Sequence, residues 1–300
     1  MTGMSPHRKQ LIALFVLVLL GFALRTWGIA FGLPNTNCRP DESTLVHKAL
    51  SIGGGELNPR FFNYPTFHFY LLTALYGAYY LAGSAAGLFA GTADFLRSFL
   101  NDPSPLYLLG RYCTAALGAV SLIPVFFIGR LLGGPRTGFV GAFFLCLAFL
   151  HVRDSHFLTT DIPATAHLLF GALFALLYAK SESIRDLVTA SLFVGLSAST
   201  KYNAIVLGGP ILLISILSRS RGYCQWRRIG GAATILLVAF LSTSPYVILD
   251  YQTFLQDIAF ERTHFSTGHH GGLDLGSGWA YHLKSTLPIG LGWPLFAAAV

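Results

Sequence analysis

Residues 11–24 read LIALFVLVLLGFAL, an uncharged and almost purely aliphatic run. The apolar segment around this run, 10–30, has the length of about 20 residues that a helix needs to cross a bilayer. The basic stretch 7–9 precedes it, and residues 25–27 (Arg-Thr-Trp) make a poor site for signal-peptide cleavage. We therefore predict a retained signal anchor at the start of an integral membrane protein.

The composition extends this prediction to the whole chain. Of its 300 residues, 53% are hydrophobic and only 11% are charged, whereas soluble domains average about 25% charged residues. The net charge of +7 lies largely in short loops, so it is not a signal of nucleic-acid binding. We predict an all-α polytopic membrane protein with one transmembrane domain, 1–300. Further apolar segments lie at 66–90, 107–129, 136–152, 163–179, 187–200, 203–218, 229–248 and 281–300.

The basic loops predict the topology. Arginine and lysine concentrate at 7–9, 130–136, 180–186 and 219–228, and the positive-inside rule favours all four on the cytoplasmic side. All four can lie there only if the aromatic segment 66–90 does not cross the membrane. We therefore expect an interfacial or re-entrant helix there, within a large first extracytoplasmic loop, 31–106, and a later one, 247–280. An ordinary membrane span with a weak charge rule is the alternative.

The acidic pair Asp41 and Glu42 follows the first apolar segment directly. Pro40 can open a helix whose dipole both carboxylates would complement, which is the purely structural interpretation. The functional interpretation is a general base in a partly dry cleft, where burial can tune a carboxylate. Asp41 is the preferred candidate because its shorter side chain is held more rigidly.

A second polar stretch lies between two apolar segments, at 151–163. Asp161 precedes Ile-Pro and suits the start of the next helix, but this does not account for Arg153, Asp154 and His156 together. Their spacing is too generic to predict a metal site, so we expect no required cofactor and leave a divalent metal as an open alternative.

Two isolated cations are candidates for binding phosphate. Lys201 stands between two nearly uncharged segments, and Arg111 stands at the start of segment 107–129. Either can simply snorkel to the interface, or can pair with an anion. His264 and His269 belong to a histidine- and glycine-rich loop that could serve in acid–base chemistry or form a mobile surface loop. Motifs of nucleotide-driven transport and of the common hydrolases are absent from the sequence.

Several short motifs follow one another in order over residues 39–201. They are RPDE at 39–42, NYPTFHFYLL at 63–72, GRY and AALG within 110–118, Arg153 with TTDIP at 159–163, and GLSASTK at 195–201. Together they resemble those of the GT-C membrane glycosyltransferases, most closely glycosyltransferase family 39, which contains protein O-mannosyltransferase-like and aminoarabinose transferase-like enzymes.

The resemblance implies a GT-C fold and an inverting transfer of mannose or another sugar from a polyprenyl-phosphate donor to an extracytoplasmic protein, lipid or glycan. Asp41 would be the catalytic base beside Glu42, and Arg111 and Lys201 would contact the donor phosphate. The resemblance also places the active site on the extracytoplasmic side of a plasma membrane, most simply that of a prokaryote. The acceptor side would contain Arg153, Asp154, His156 and Asp161. The histidine-rich loop has no counterpart in the family's motifs, so His264 and His269 are loop candidates from their residue type alone.

Two functions from other classes remain as alternatives. A transporter or lipid flippase would show inverted repeats and charges near the middle of helices, whereas the charges here cluster at segment ends. A non-catalytic lipid-binding protein would keep the phosphate contacts without needing a base. The chain stops inside the apolar stretch 288–300, so both a fragment of a longer enzyme and an incomplete last helix stay open.

Overall fold

The computed structural model describes residues 5–216, 223–266 and 276–299, and within these ranges the regular structure is entirely helical. Short 3-10 turns at Thr36–Cys38 and Tyr202–Leu207 and a π-helical turn at His282–Thr286 separate some of the α-helices. The α-helices are α1 (Pro6–Thr26), α2 (Pro40–Gly53), α3 (Phe67–Ala85), α4 (Thr92–Asn101), α5 (Ser104–Val120), α6 (Leu122–Gly133), α7 (Pro135–Leu147), α8 (Phe149–Asp154), α9 (Asp161–Ser181), α10 (Ile184–Ala198), α11 (Gly208–Ile216), α12 (Tyr223–Thr243), α13 (Tyr246–Leu249), α14 (Tyr251–Ser266), α15 (Gly278–Tyr281), α16 (Leu287–Leu291) and α17 (Trp293–Ala299).

Three helical stretches are long and apolar enough to cross a bilayer. They are Pro6–Thr26, the combined α5–α6 stretch Ser104–Gly133, and Asp161–Ser181. The 13-residue helix Pro135–Leu147 is also apolar but shorter. The prediction of an all-α polytopic membrane protein is confirmed.

The helix starts follow their local chemistry. Ser5 caps α1 by accepting a hydrogen bond from the amide of Arg8, at 3.3 Å. Pro40 occupies the first position of α2, where its missing N–H costs nothing, and Asp41 and Glu42 fill the first turn. Asp161 is the first residue of α9, one position after the N-cap. The expected helix starts at Pro40 and Asp161 are therefore confirmed.

Helices α2, α3 and α4 form a layer around the first part of α5. Their shared core buries Leu45, Phe69, Leu72, Tyr76 and Tyr107 almost completely. The amphipathic α4 contributes Phe95, which contacts the rings of Tyr79 and Tyr80. Helix α3 therefore packs into this layer, chiefly against α2.

The membrane-length helices pack in two groups. Helix α1 lies against α6 and α7 around Leu14, Leu122 and Phe126, and α9, α10 and α12 share a second core. Helices α6 and α7 approach so closely that a Cβ on Gly129 would stand 2.8 Å from the Cα of Gly138. Small residues at such a crossing let helix backbones pack directly, as is common in membrane bundles.

Two apolar segments that the sequence predicts as single stretches are broken. Segment 203–218 begins with a 3-10 turn and becomes α-helical only at Gly208, because Pro210 lacks an N–H and is tolerated only in the first turn of an α-helix. Segment 281–300 is divided by Gly292, whose φ of +80° is a left-handed conformation. Hydropathy alone does not report these interruptions.

Candidate active site

The ends of several helices meet beside the layer formed by α2, α3 and α4. The start of α3 is joined to the ends of α10 and α12 by a buried group of hydroxyls, and the amide of Phe67 donates to the carbonyl of Ser199 at 3.1 Å. Thr66 donates to the carbonyl of Thr243 at 2.7 Å, and Ser199 and Ser244 are hydrogen bonded at 2.7 Å. These bonds fix the positions of the start of α3 and the ends of α10 and α12 relative to one another.

Glu42 and Arg111 form a buried ion pair. Nη2 of Arg111 lies 2.7 Å from the Glu42 carboxylate, and the side chains are only 1% and 2% exposed. Nε of Arg111 donates to the same carboxylate, and Nη1 donates to the carbonyls of Ile29 and Phe31, both at 2.8 Å. The amide of Leu158 donates to Glu42 at 2.9 Å. The pair therefore connects α2 and α5 to the segment after α1, through Ile29 and Phe31, and to the segment before α9, through Leu158.

This arrangement differs from the expected roles of both residues. Every nitrogen of the Arg111 guanidinium already donates to a protein acceptor, so a donor phosphate could reach it only by displacing Glu42 or a backbone carbonyl. Glu42 in turn is closed off from an acceptor hydroxyl. Both side chains hold the site together and do not line it.

Asp41 has the opposite environment to its neighbour. Its side chain is exposed at the start of α2, because successive helix residues point about 100° apart. The backbone beneath it is held by the Glu42–Arg111 pair. Asp41 is thus a carboxylate on a rigid base that a substrate could approach.

Asp161 and Lys201 form the second charged pair at these helix ends. Nζ of Lys201 lies 2.5 Å from the Asp161 carboxylate, and the two side chains are 35% and 53% exposed. The pair joins the start of α9 to the residue before the 3-10 turn at Tyr202. An accessible lysine beside a carboxylate can turn to an incoming phosphate at little cost, because partly exposed ion pairs are weak.

Tyr64 connects these acidic groups. Partial burial, as the largest cause, and then the negative charges of Asp41, Asp161 and Glu261 together raise the pKa of Tyr64 to about 12. Three carboxylates from different parts of the chain therefore act electrostatically on one phenol. At neutral pH the Tyr64 hydroxyl carries its proton, as an ordinary tyrosine does, and can donate a hydrogen bond.

Helix α14 holds the loop that carries Tyr64. Asp250 accepts a hydrogen bond from Asn58 at 2.7 Å, and Asp257 accepts one from the amide of Phe62 at 2.6 Å. Asn63 donates to Glu261. The pKa of the exposed Asp250 carboxyl is lowered by the hydrogen bonds from Asn58 and Thr253. One acidic side of α14 thus positions the loop before α3.

Other predicted site residues are occupied with local contacts. Arg153 pairs with Asp154 at 2.7 Å, and the ring of His156 bonds the carbonyls of Val152 and Trp27 at 2.8 and 3.0 Å. These contacts shape the turn after α8. No described contact joins the three residues to Asp161.

The two histidine candidates divide between described and undescribed parts of the chain. His264 lies near the end of α14 and stacks on Phe260, whereas His269 lies outside the described residues. Within the described ranges no group of three or more potential metal ligands comes together.

The sequence analysis did not single out several residues that the structure brings to the site. Tyr64, Asp257 and Glu261 all lie there, and Arg39 stacks over the ring of Phe157 at 3.8 Å. Nε of Arg39 is buried and has no hydrogen-bond partner among the described residues. The one available signal was the spacing of acids at 250, 257 and 261, which places them on one side of a helix.

The comparisons with known proteins support the same class of molecule. Residues 108–249 match the family model described as dolichyl-phosphate-mannose-protein mannosyltransferase, which confirms the resemblance to GT-C membrane glycosyltransferases. The matched region contains Arg111, Asp161 and Lys201 and begins after Asp41 and Glu42. No curated protein and no solved structure matches the chain.

Proposed function

We propose that this mannosyltransferase-like membrane protein transfers a sugar from a polyprenyl-phosphate carrier to a hydroxyl of an extracytoplasmic protein, lipid or glycan, with inversion. The observation that carries the proposal is the contrast within one acidic pair. Glu42 is buried and held by Arg111, whereas Asp41 is exposed one residue earlier. Such an arrangement presents one carboxylate in a defined position, as a general base requires.

Two cations are suited to the donor phosphate. Lys201 is partly exposed and bound only to Asp161 among the described residues, and Arg39 lies two positions before Asp41 with an unsatisfied Nε. Positive charge placed where a phosphate leaves stabilises the transition state. We assign Arg111 an indirect role, because it holds the helix start through Glu42.

The proposed reaction is a single displacement. Asp41 accepts the proton of the acceptor hydroxyl, and the oxygen of that hydroxyl attacks the anomeric carbon from the face opposite the phosphate. The bond between that carbon and the phosphate oxygen breaks, and its electron pair leaves with the polyprenyl phosphate. Because this leaving group is already a stabilised anion, the step needs no second carboxylic acid, in contrast to glycoside hydrolysis. A metal ion is not required by the scheme.

The remaining polar groups fit an acceptor side. Tyr64 is protonated at neutral pH and can donate to an acceptor or sugar oxygen, and the charge of Asp41 acts on the same phenol. Asp161 and Glu261 lie around the same phenol and can accept hydrogen bonds from hydroxyl or amino groups. Carboxylates and a phenol at these helix ends favour a polyhydroxylated or cationic acceptor over an anionic one.

The proposal places this site on the extracytoplasmic side. The basic loops lie at the other ends of α6, α9 and α12, and the positive-inside rule assigns them to the cytoplasm. The packing of α3 within the layer of α2 and α4 supports the expectation that loop 31–106 stays on one side.

Turnover measurements with a panel of polyprenyl-phosphate sugars test the function. We expect the wild-type chain in lipid to transfer at least one sugar, and Asp41→Asn to lower turnover by about 10²- to 10⁴-fold while still binding the donor. Asp94→Asn is the matched control, because Asp94 also lies in the first turn of an outer-layer helix.

Each alternative function predicts a different result. A lipid transporter would move the carrier across vesicles without transferring sugar, and a non-catalytic lipid-binding protein would bind the donor but transfer no sugar in either form. Near-normal turnover by Asp41→Asn would remove Asp41 as the base. A loss of turnover by Asp94→Asn of the same size would show that the effect is not specific to the site.

A further inference from the structure

A cavity of about 500 Å³ lies between α6 and α9, far from the candidate active site. Its lysine, Lys180, follows Asp161 by 19 positions on the same helix, which corresponds to roughly 30 Å at 1.5 Å per residue. The cavity therefore opens near the other membrane surface. Its lining residues are Phe127, Arg130, Leu131, Leu173, Leu177 and Lys180.

The lining divides into two chemical parts. Phe127 and Leu131 lie one turn apart on α6, and Leu173 and Leu177 lie one turn apart on α9, so both walls are apolar. The two cations, Arg130 and Lys180, stand near the C-terminal ends of these helices. Cations are favoured at helix C-termini, so the charged part of the cavity lies at the C-terminal ends of α6 and α9.

The two cations are not neutralised by the described protein. Nζ of Lys180 donates to the carbonyl of Leu131 at 2.5 Å, which holds the ammonium at the cavity mouth. Within the described ranges neither Lys180 nor Arg130 forms an ion pair with a carboxylate, whereas Arg228 on the neighbouring α12 pairs with Glu182 at 3.2 Å. No acidic residue is among the described lining residues.

We propose that this cavity binds one anionic phospholipid from the cytoplasmic leaflet. The phosphate would contact Arg130 and Lys180, and an acyl chain would lie between Phe127 and the leucines of α9. Basic pockets between transmembrane helices on this side are suited to anionic headgroups. An apolar cavity of this size is also unsuited to a free phosphate ion, which would leave the walls unfilled.

The test uses the full-length chain in nanodiscs of phosphatidylcholine, with phosphatidylglycerol added in increasing amounts and bound lipid counted by native mass spectrometry. We expect the wild type to prefer phosphatidylglycerol. The double variant Arg130→Gln and Lys180→Gln should lose about 30-fold in that affinity, since each basic residue contributes about fivefold near a lipid surface.

The matched control removes two charges from the same side of the protein without touching the cavity. Arg136 and Arg185 are exposed at the starts of α7 and α10 and do not line it, so Arg136→Gln with Arg185→Gln should keep the preference. A separate variant, Leu177→Trp, fills the apolar part and keeps both charges. Leu177→Trp should also lose phosphatidylglycerol binding. If the double variant does not fold, this variant tests whether the cavity is the lipid site.

Four results would overturn the proposal. Three are equal binding of both lipids by the wild type, an unchanged preference in a folded cavity variant, and an equal loss in the control. The fourth is displacement of the lipid by inorganic phosphate, because the site would then recognise the ion without the acyl chain. Melting temperatures in phosphatidylcholine report whether each variant is folded.

Discussion

At the scale of single residues, Asp41 and Glu42 have the same chemistry and opposite environments. Rotation of about 100° per residue turns Glu42 toward Arg111 and leaves Asp41 facing solvent. A buried ion pair is weak evidence for stability by itself, but removing one partner leaves an uncompensated charge in an apolar core. The structural importance of Glu42 therefore shows only when the pair is broken.

Glu42→Gln should destabilise the folded protein strongly. We expect its free energy of unfolding to fall by about 3–5 kcal/mol, because the Arg111 guanidinium would stay buried without a counter-charge. Thermal or denaturant unfolding in detergent measures the loss. Asp41→Asn is the control for the same chemical change one residue away, and it should shift stability by no more than about 0.5 kcal/mol. Similar unfolding of the two variants would contradict the assigned roles.

At the scale of elements, α14 acts as a support for the loop before α3. Asp257 accepts the amide of Phe62 at 2.6 Å, two residues before Tyr64. Hydrogen bonds to a charged acceptor contribute about 1.5–3 kcal/mol each, more than neutral ones. Phe62 and Asp257 are 195 positions apart in the sequence. The position of Tyr64 relative to Asp41 therefore depends on a helix that lies much later in the chain.

Asp257→Ala should loosen this loop without unfolding the membrane helices. We expect the Phe62 amide to exchange its hydrogen about 10- to 100-fold faster, which is the range that loss of such a bond predicts. Sugar transfer should fall as well, because Tyr64 would lose its support. Hydrogen exchange followed by mass spectrometry reports the first effect.

Glu56→Ala provides the control for the loop. Glu56 pairs with Arg60 at 3.4 Å, and both side chains are more than half exposed. Exposed pairs contribute roughly 0–1 kcal/mol, so exchange at Phe62 should change little. If both variants accelerated exchange equally, the loop would be held by its own contacts and not by α14.

At the scale of the whole molecule, the two ends of the bundle have different chemistry. The end with α2, α14 and the start of α9 is acidic and aromatic, and the other end carries the basic loops. Carboxylates at one end of the bundle and basic loops at the other give the two membrane surfaces of the protein opposite charge. The proposal that the acidic end is extracytoplasmic and the basic end cytoplasmic follows from this difference in charge.

Cysteine labelling of intact cells tests the orientation. In a background with Cys38 and Cys224 replaced by serine, Arg97→Cys in α4 should react with a membrane-impermeant maleimide. Arg185→Cys, at the start of α10, should react only after the membrane is opened. Both arginines are exposed, so they are matched in residue type and access. Labelling of Arg185→Cys alone in intact cells would reverse the topology, and protection of both would contradict the placement of loop 31–106.

Hydropathy and charge in the sequence were sufficient for the fold class, because a bilayer requires each span to satisfy its own backbone and bury an apolar surface. The same local logic located the helix starts at Pro40 and Asp161. It failed where glycine and proline interrupt apolar segments, since hydropathy averages over such residues.

The sequence by itself determined that the protein is helical and membrane-embedded and that its acids gather at segment ends. Only the tertiary structure decided which acid is free, since Glu42 and Arg111 are 69 positions apart and meet only after α2 packs on α5. The same holds for Tyr64 and Glu261, which different segments bring together. The physical reason is that hydropathy is a property of neighbouring residues, whereas pairing of buried charges depends on which helix surfaces face each other.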